Sequence, residues 1–179
     1  MKGKEPFEMY TNLGFTIVGI IVYLFPPDWL WEGYALPFCF GAQAISAGSF
    51  IYHKYKQKPI YLFDWWAMMF LISICTGILA DNSWGWVFVL TWQTVYSYFI
   101  MGKLNVFIEV GMSALPLVVA VLLTKTPLSA AIILFLFGIA VYIRSKDPDP
   151  KQAKVYDSWQ HGVWHILVQV DLGLIMYLE

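Results

Sequence analysis

Only three of the 179 residues are histidine, and two of them stand four apart in YDSWQHGVWHILVQV, residues 156–170. On a helix that spacing puts His161 and His165 on one face, about 6 Å apart along the axis. The third, His53, ends the stretch SFIYH, with Ser49 one turn before it on the same face. Asp64 follows in YLFDWW. Three neutral imidazoles are a good ligand set for Zn²⁺, with a fourth position left for water. A metal so held lowers the pKa of its water to about 7 and polarises a carbonyl. An aspartate nearby could orient an imidazole or take the water's proton. A serine could hydrogen-bond the water or a developing oxyanion. An HxxxH pair by itself is more simply explained as structural; it is the company of the other three residues that shifts the balance.

The elements that must position these residues are apolar. Hydrophobic residues make up 59% of the chain and charged residues 13%, about half the charge of an ordinary soluble domain. Nine Trp, eleven Tyr and thirteen Phe give the aromatic excess found at membrane interfaces. A net charge of −1 gives no reason to expect a nucleic-acid partner. The first apolar run is too long for a signal-peptide core and is expected to be the first span. A membrane helix needs roughly 20 mostly apolar residues, and seven stretches qualify: 7–25, 35–54, 60–80, 84–101, 104–123, 127–143 and 157–178. The expectation is an all-α protein, a single seven-transmembrane helix bundle over residues 1–179, with no separate soluble domain. Cys39 and Cys75 both fall in apolar runs and are expected to be reduced.

With seven spans, Lys2, Lys4, Lys54, Lys56, Lys58, Lys103, Arg144, Lys146, Lys151 and Lys154 share one side, and Lys125 lies alone on the other. The positive-inside rule then puts the N-terminus in the cytoplasm and the C-terminus outside. This topology brings His53, Ser49, Asp64, His161 and His165 to one depth, near the cytoplasmic face, from three different spans. Ionisable groups at such positions face the bundle interior and find partners.

At these residues the chain resembles the seven-span hydrolase superfamily often called CREST, which includes alkaline ceramidases and the progestin and adipoQ receptors. The pattern is SxxxH ending span two, here Ser49-Phe-Ile-Tyr-His53, an Asp starting span three, here Asp64, and HxxxH starting span seven, here His161-Gly-Val-Trp-His165. The step from His53 to Asp64 is closer to the ceramidases. The resemblance implies a zinc held by His53, His161 and His165, with Asp64 and Ser49 around its water. It implies hydrolysis of an amide, or an ester, in a lipid drawn from the bilayer, ceramide-like in the ceramidase branch. The N-terminus MKGKEPFEMYTN departs from the acidic calcium-binding stretch of alkaline ceramidases, although Glu8 matches the acidic residue at the start of the first span. The N-in orientation is that of the receptor branch.

Two other functions compete. One is a receptor or sensor of the same architecture, its zinc structural or weakly catalytic. The other is an ion pathway through His and Asp, which would call for polar residues along the whole membrane depth. Glu109, Gln93, Gln169 and Asp171 are scattered by comparison. Asp171 lies about 15 Å beyond His161 along a helix, too far to share its metal. Trp29, Trp31, Trp84 and Trp86 are expected in an outer aromatic belt, and Trp65, Trp66, Trp159 and Trp164 flank the site. The small residues of GAQAISAGS, 41–49, are expected to bring span two close to span seven. Pro116 would kink span five. The short loops suggest a prokaryotic plasma membrane, with a eukaryotic endomembrane as the alternative, and oligomeric state is open.

Overall fold

The computed structural model describes residues 6–30, 32–55, 58–80, 91, 106–146 and 159–178. Among these, seven helices follow one another: α1 (Pro6–Thr11), α2 (Leu13–Leu24), α3 (Glu32–Tyr55), α4 (Lys58–Ala80), α5 (Val106–Thr124), α6 (Pro127–Ser145) and α7 (Trp159–Tyr177). The expected all-α class is observed. Helix is found at six of the seven expected spans; the remaining one, 84–101, lies outside the described residues except for Thr91, which is helical.

Among the described residues, four stretches are long and apolar enough to cross a membrane: Phe7–Leu24, Gly33–Tyr55, Phe63–Ala80 and Pro127–Ser145. Ala114–Thr124 is a shorter apolar segment. Helix α7 has the length, 19 residues, but His161, His165, Gln169 and Asp171 dilute its apolar character. The first span tightens for one residue at Asn12, whose backbone stays helical (φ −65°, ψ −23°); there the Asn12 amide (2.7 Å) and the Thr11 hydroxyl (3.0 Å) both donate to the Glu8 carbonyl. Side chains that bond the local backbone in this way compete with the helical ladder.

Each helix packs on the next around a ring, α2 on α3, then α4, α5, α6, α7 and back to α2, while α1 rests on both α3 and α7. The interior holds an apolar core and a set of polar groups beside it. Glu8, Asn12, Ser46, Ser49, His53, Ser73, Thr76, Ser129, His161, His165, Gln169 and Asp171 are all buried. Facing outward are Ile17, Ile20 and Leu24 of α2, Leu115, Val119, Leu122 and Leu123 of α5, and Leu128, Ile132 and Phe135 of α6. Water would penalise such a belt, whereas lipid accepts it. Ser73, Thr76 and Thr124 return their hydroxyls to carbonyls four residues back, so none is left unbonded in an apolar setting. Both cysteines are free thiols, as expected.

The small residues of α3 serve α2 and α4 rather than α7. A side chain at Gly41 would meet Leu71 and Ile74, and one at Gly48 would meet Phe63 and the Asp64 backbone. Ala42 abuts Gly19. Helices α3 and α7 do not pack along their lengths; α1 stands between them and they meet at their histidines. At the opposite end, the Trp29 indole donates to the Met176 carbonyl (3.0 Å) and Lys125 sits 4.6 Å over the Trp29 ring. Thr126 caps α6 by accepting from the Ser129 amide, with Pro127 in the first turn, where a missing N–H costs nothing. Pro116 lies inside α5.

The α2–α3 contact makes a direct prediction. An alanine Cβ at position 19 would stand 2.7 Å from the Ala42 Cβ and 3.3 Å from the Cys39 carbonyl oxygen. Neither atom can swing aside, so Gly19→Ala is expected to destabilise the bundle by about 1–3 kcal/mol, the usual cost of overpacking. Gly138, with nothing within 4 Å of its would-be Cβ, is the control: Gly138→Ala should melt no earlier than wild type in a thermal scan of detergent-solubilised protein.

Candidate metal centre

His53 sits in the last turn of α3, and His161 and His165 open α7. All three are buried. The ring centroids are 5.0 Å apart for His53–His161, 5.6 Å for His53–His165 and 4.6 Å for His161–His165. One nitrogen from each ring can be chosen so that all three lie within 4.8 Å of one another. Nitrogens about 2.1 Å from a tetrahedral ion stand about 3.4 Å apart. The widest pair therefore has to close by at most about 1.4 Å, a shift that small ring rotations shared between two imidazoles supply. The group fits a divalent metal in number, type and spacing. Imidazole ligands suit zinc, copper, iron and nickel alike.

Two further residues, both on the short helix α1, touch these ligands. The Glu8 Oε2 lies 2.8 Å from the His53 Nδ1, and the two side chains are 0% and 1% exposed. The Thr11 Oγ1 lies 3.2 Å from the His165 Nδ1. In both rings the Nδ1 side is engaged by α1, which leaves Nε2 facing away from it. Neither residue was expected at the site from sequence. The available signal was an acidic residue near the start of the first span, followed by a threonine three positions on, hence on the same helix face.

Aromatic rings enclose the imidazoles. Tyr52 is 5.2 Å from His53, Phe15 is 6.3 Å from His165, and Trp164 is 5.5 Å from His161 and 5.1 Å from His165. The Arg144 guanidinium lies 5.8 Å over the Trp164 ring, within range of a cation–π contact. Trp66, expected to flank the site, instead stacks between Phe63 and Phe70 on an exposed face of α4.

Ser49 is buried on α3 one turn before His53. Asp64 is half-buried on α4, its backbone against Gly48 of α3. The ligand set itself consists of the three imidazoles. Farther along α7, the Gln169 amide donates to the Thr11 carbonyl (2.6 Å). Asp171 is buried, and its Oδ1 has no hydrogen-bond partner among the described residues. The side chain of Glu109, together with Gln93, Trp31, Trp84 and Trp86, lies outside the described residues.

Purified in detergent, the protein is expected to carry about one divalent transition-metal ion per chain, measured by elemental analysis. His161→Ala or His165→Ala should strip it. Natively folded wild-type protein that takes up no metal even when supplied with it would contradict this reading of the cluster. No family model matches the chain, and neither a curated protein nor a solved structure does, so the functional reading rests on the residues of the site.

Proposed function

We propose that this protein is a zinc-dependent intramembrane hydrolase of the seven-span CREST type, cleaving an amide bond in a ceramide-like N-acyl lipid. The observation that carries the reading is the convergence of three imidazoles from the two ends of the sequence on one buried point. A core that gathers polar groups under an apolar exterior supports a lipid substrate entering from the side. In this reading the chain crosses the membrane seven times. Lys54, Arg144 and Lys146 lie at the histidine end and Lys125 at the other, which favours a cytoplasmic N-terminus and an outer C-terminus. The short loops favour a prokaryotic plasma membrane.

Zinc at this site would supply a Lewis acid and lower the pKa of a bound water to about 7. The chain's residues do the rest. Asp64 takes a proton from the attacking water and later returns it to the leaving amine. Ser49 donates a hydrogen bond to the carbonyl oxygen as charge develops on it. Phe15, Tyr52 and Trp164 limit the water around the reacting groups, which strengthens each electrostatic contact there.

The test is turnover of labelled N-acyl sphingoid lipids by zinc-loaded protein in detergent or nanodiscs. Wild type should release fatty acid. Ser49→Ala should lower kcat by about 10²–10³, the loss typical of one oxyanion donor, and Asp64→Asn by about 10²–10⁴, the range for a general base. Zinc-loaded wild type that cleaves neither amides nor esters in any lipid would favour a receptor or sensor of the same architecture.

A further inference from the structure

Helix α1 has six residues and carries none of the three ligands, yet it is the element that joins them. Its contacts with α7 are specific. Phe7 lies where a side chain at position 162 would go, which only Gly162 permits, and Gln169 fills the space beside Gly14 just beyond α1. Gln169 also bonds the Thr11 carbonyl. On the other flank Glu8 meets His53 of α3. Just past α1, the Thr16 hydroxyl donates to Ser46 of α3 (2.9 Å) and the Gln43 amide donates to the Thr16 carbonyl (3.3 Å). The strap therefore holds both ligand-bearing helices by several contacts each.

The contacts of α1 also bear on where two protons reside. Thr11 has a single hydroxyl proton, and it is given to the Glu8 carbonyl at 3.0 Å. Toward His165, 3.2 Å away, the same oxygen is left only as an acceptor. In that arrangement the proton between them belongs to the His165 Nδ1, and Nε2 keeps its lone pair. Glu8 acts likewise on His53. The Glu8 Oε2 lies 2.8 Å from Nδ1 without the alignment of a hydrogen bond; its negative charge so close favours a proton on Nδ1 over one on Nε2. A metal ligand must present a lone pair, and a ligating imidazole commonly gives its other N–H to a carboxylate or other acceptor.

We propose that Glu8 and Thr11 are the positioning residues of the metal centre, holding the protons of His53 and His165 on Nδ1 so that both Nε2 atoms are presented to the metal before it arrives. The inference rests on the metal site of the preceding reading and on no feature of its substrate. It makes α1 part of the centre, although α1 supplies no ligand.

Three histidines in the full chain make the test tractable. Histidine selectively labelled with ¹⁵N, in metal-free protein in detergent at mildly alkaline pH, reports the tautomer of each ring by two-bond nitrogen–proton correlation. Wild type should show His53 and His165 protonated on Nδ1 alone. Thr11→Val keeps the side-chain shape but removes the acceptor, and should disturb the tautomer of His165 only. Thr11→Ser should restore it. Glu8→Met should disturb His53 only. Zinc affinity, read by competition with a chromophoric chelator, should fall about 10–100-fold in Thr11→Val and in Glu8→Met, the usual cost of losing such a partner, and recover in Thr11→Ser. A proton on Nε2 of either ring in wild type would overturn the proposal. So would variants that leave tautomers and zinc affinity unchanged. Because neither readout involves a lipid, wild-type tautomers as expected in a protein that turns over no lipid would support this proposal and remove the hydrolase reading alone.

Discussion

Glu8 and His53 are in contact at 2.8 Å with almost no exposed surface, and much of the structure follows from making that burial tolerable. Taking a carboxylate out of water costs several kcal/mol even after relaxation, and a partner left behind without it would cost about 3–5 kcal/mol. The cost falls only if the groups are already held in register when they meet. Helix α1 provides the register. It is anchored to α7 through Gly162, Gly14 and Gln169, and it runs directly into α2, which is bonded to α3 through Thr16, Ser46 and Gln43. The two glycines let the strap sit close enough for short side chains such as Thr11 to reach an imidazole.

The same constraint explains the distribution of polarity. In a water-soluble bundle the polar side chains would face out and the ring of helices would close over aliphatic residues. Here the interior takes in histidine, glutamate, asparagine and glutamine beside its apolar core, while isoleucine and leucine also cover the outside of α2, α5 and α6. Lipid around the bundle gives no incentive to bury aliphatic side chains, so contacts between helices depend on close packing and on hydrogen bonds. Gly19 against Ala42 is an example of the first, and Thr16 with Ser46 of the second. A polar group facing lipid would be costly, so each one at the histidine end is drawn inward, where a metal and its partners can use it.

The helical class and the gathering of His53, His161 and His165 were legible in the sequence because both depend on simple periodicities. Apolar runs of span length set the helices, and i, i+4 spacing together with matched depth set the three histidines. Other features were not legible because they depend on which helices become neighbours. The stretch 41–49 announces close packing, but small residues do not name their partner, and the partners are α2 and α4. Glu8 could be noticed as an acidic residue at the start of a span. Its attachment to His53 depends on α1 lying between α3 and α7, a three-body arrangement that no local pattern encodes. The tightening at Asn12 was hidden for a related reason: asparagine and threonine sit in many helices, and only the Glu8 carbonyl shows that here both side chains compete with the ladder.

Helix α7 is where the needs of the site and of the membrane conflict. Its 19 residues include His161, His165, Gln169 and Asp171, and polar groups near the centre of a lone membrane helix are disfavoured, by about 2.5–3.5 kcal/mol for an aspartate. The helix is not among the stretches apolar enough to cross by composition alone. What compensates two of these residues comes from the far end of the chain: Thr11 takes His165 through its side chain and Gln169 through its carbonyl. The last helix thus depends on the first for its place in the bundle, and the two contacts that seat it surround the same imidazole that would ligate the metal. Assembly of the site and seating of α7 are then one event: if α1 is displaced, the ligand loses its orientation and the helix loses the partners that make its polar face tolerable.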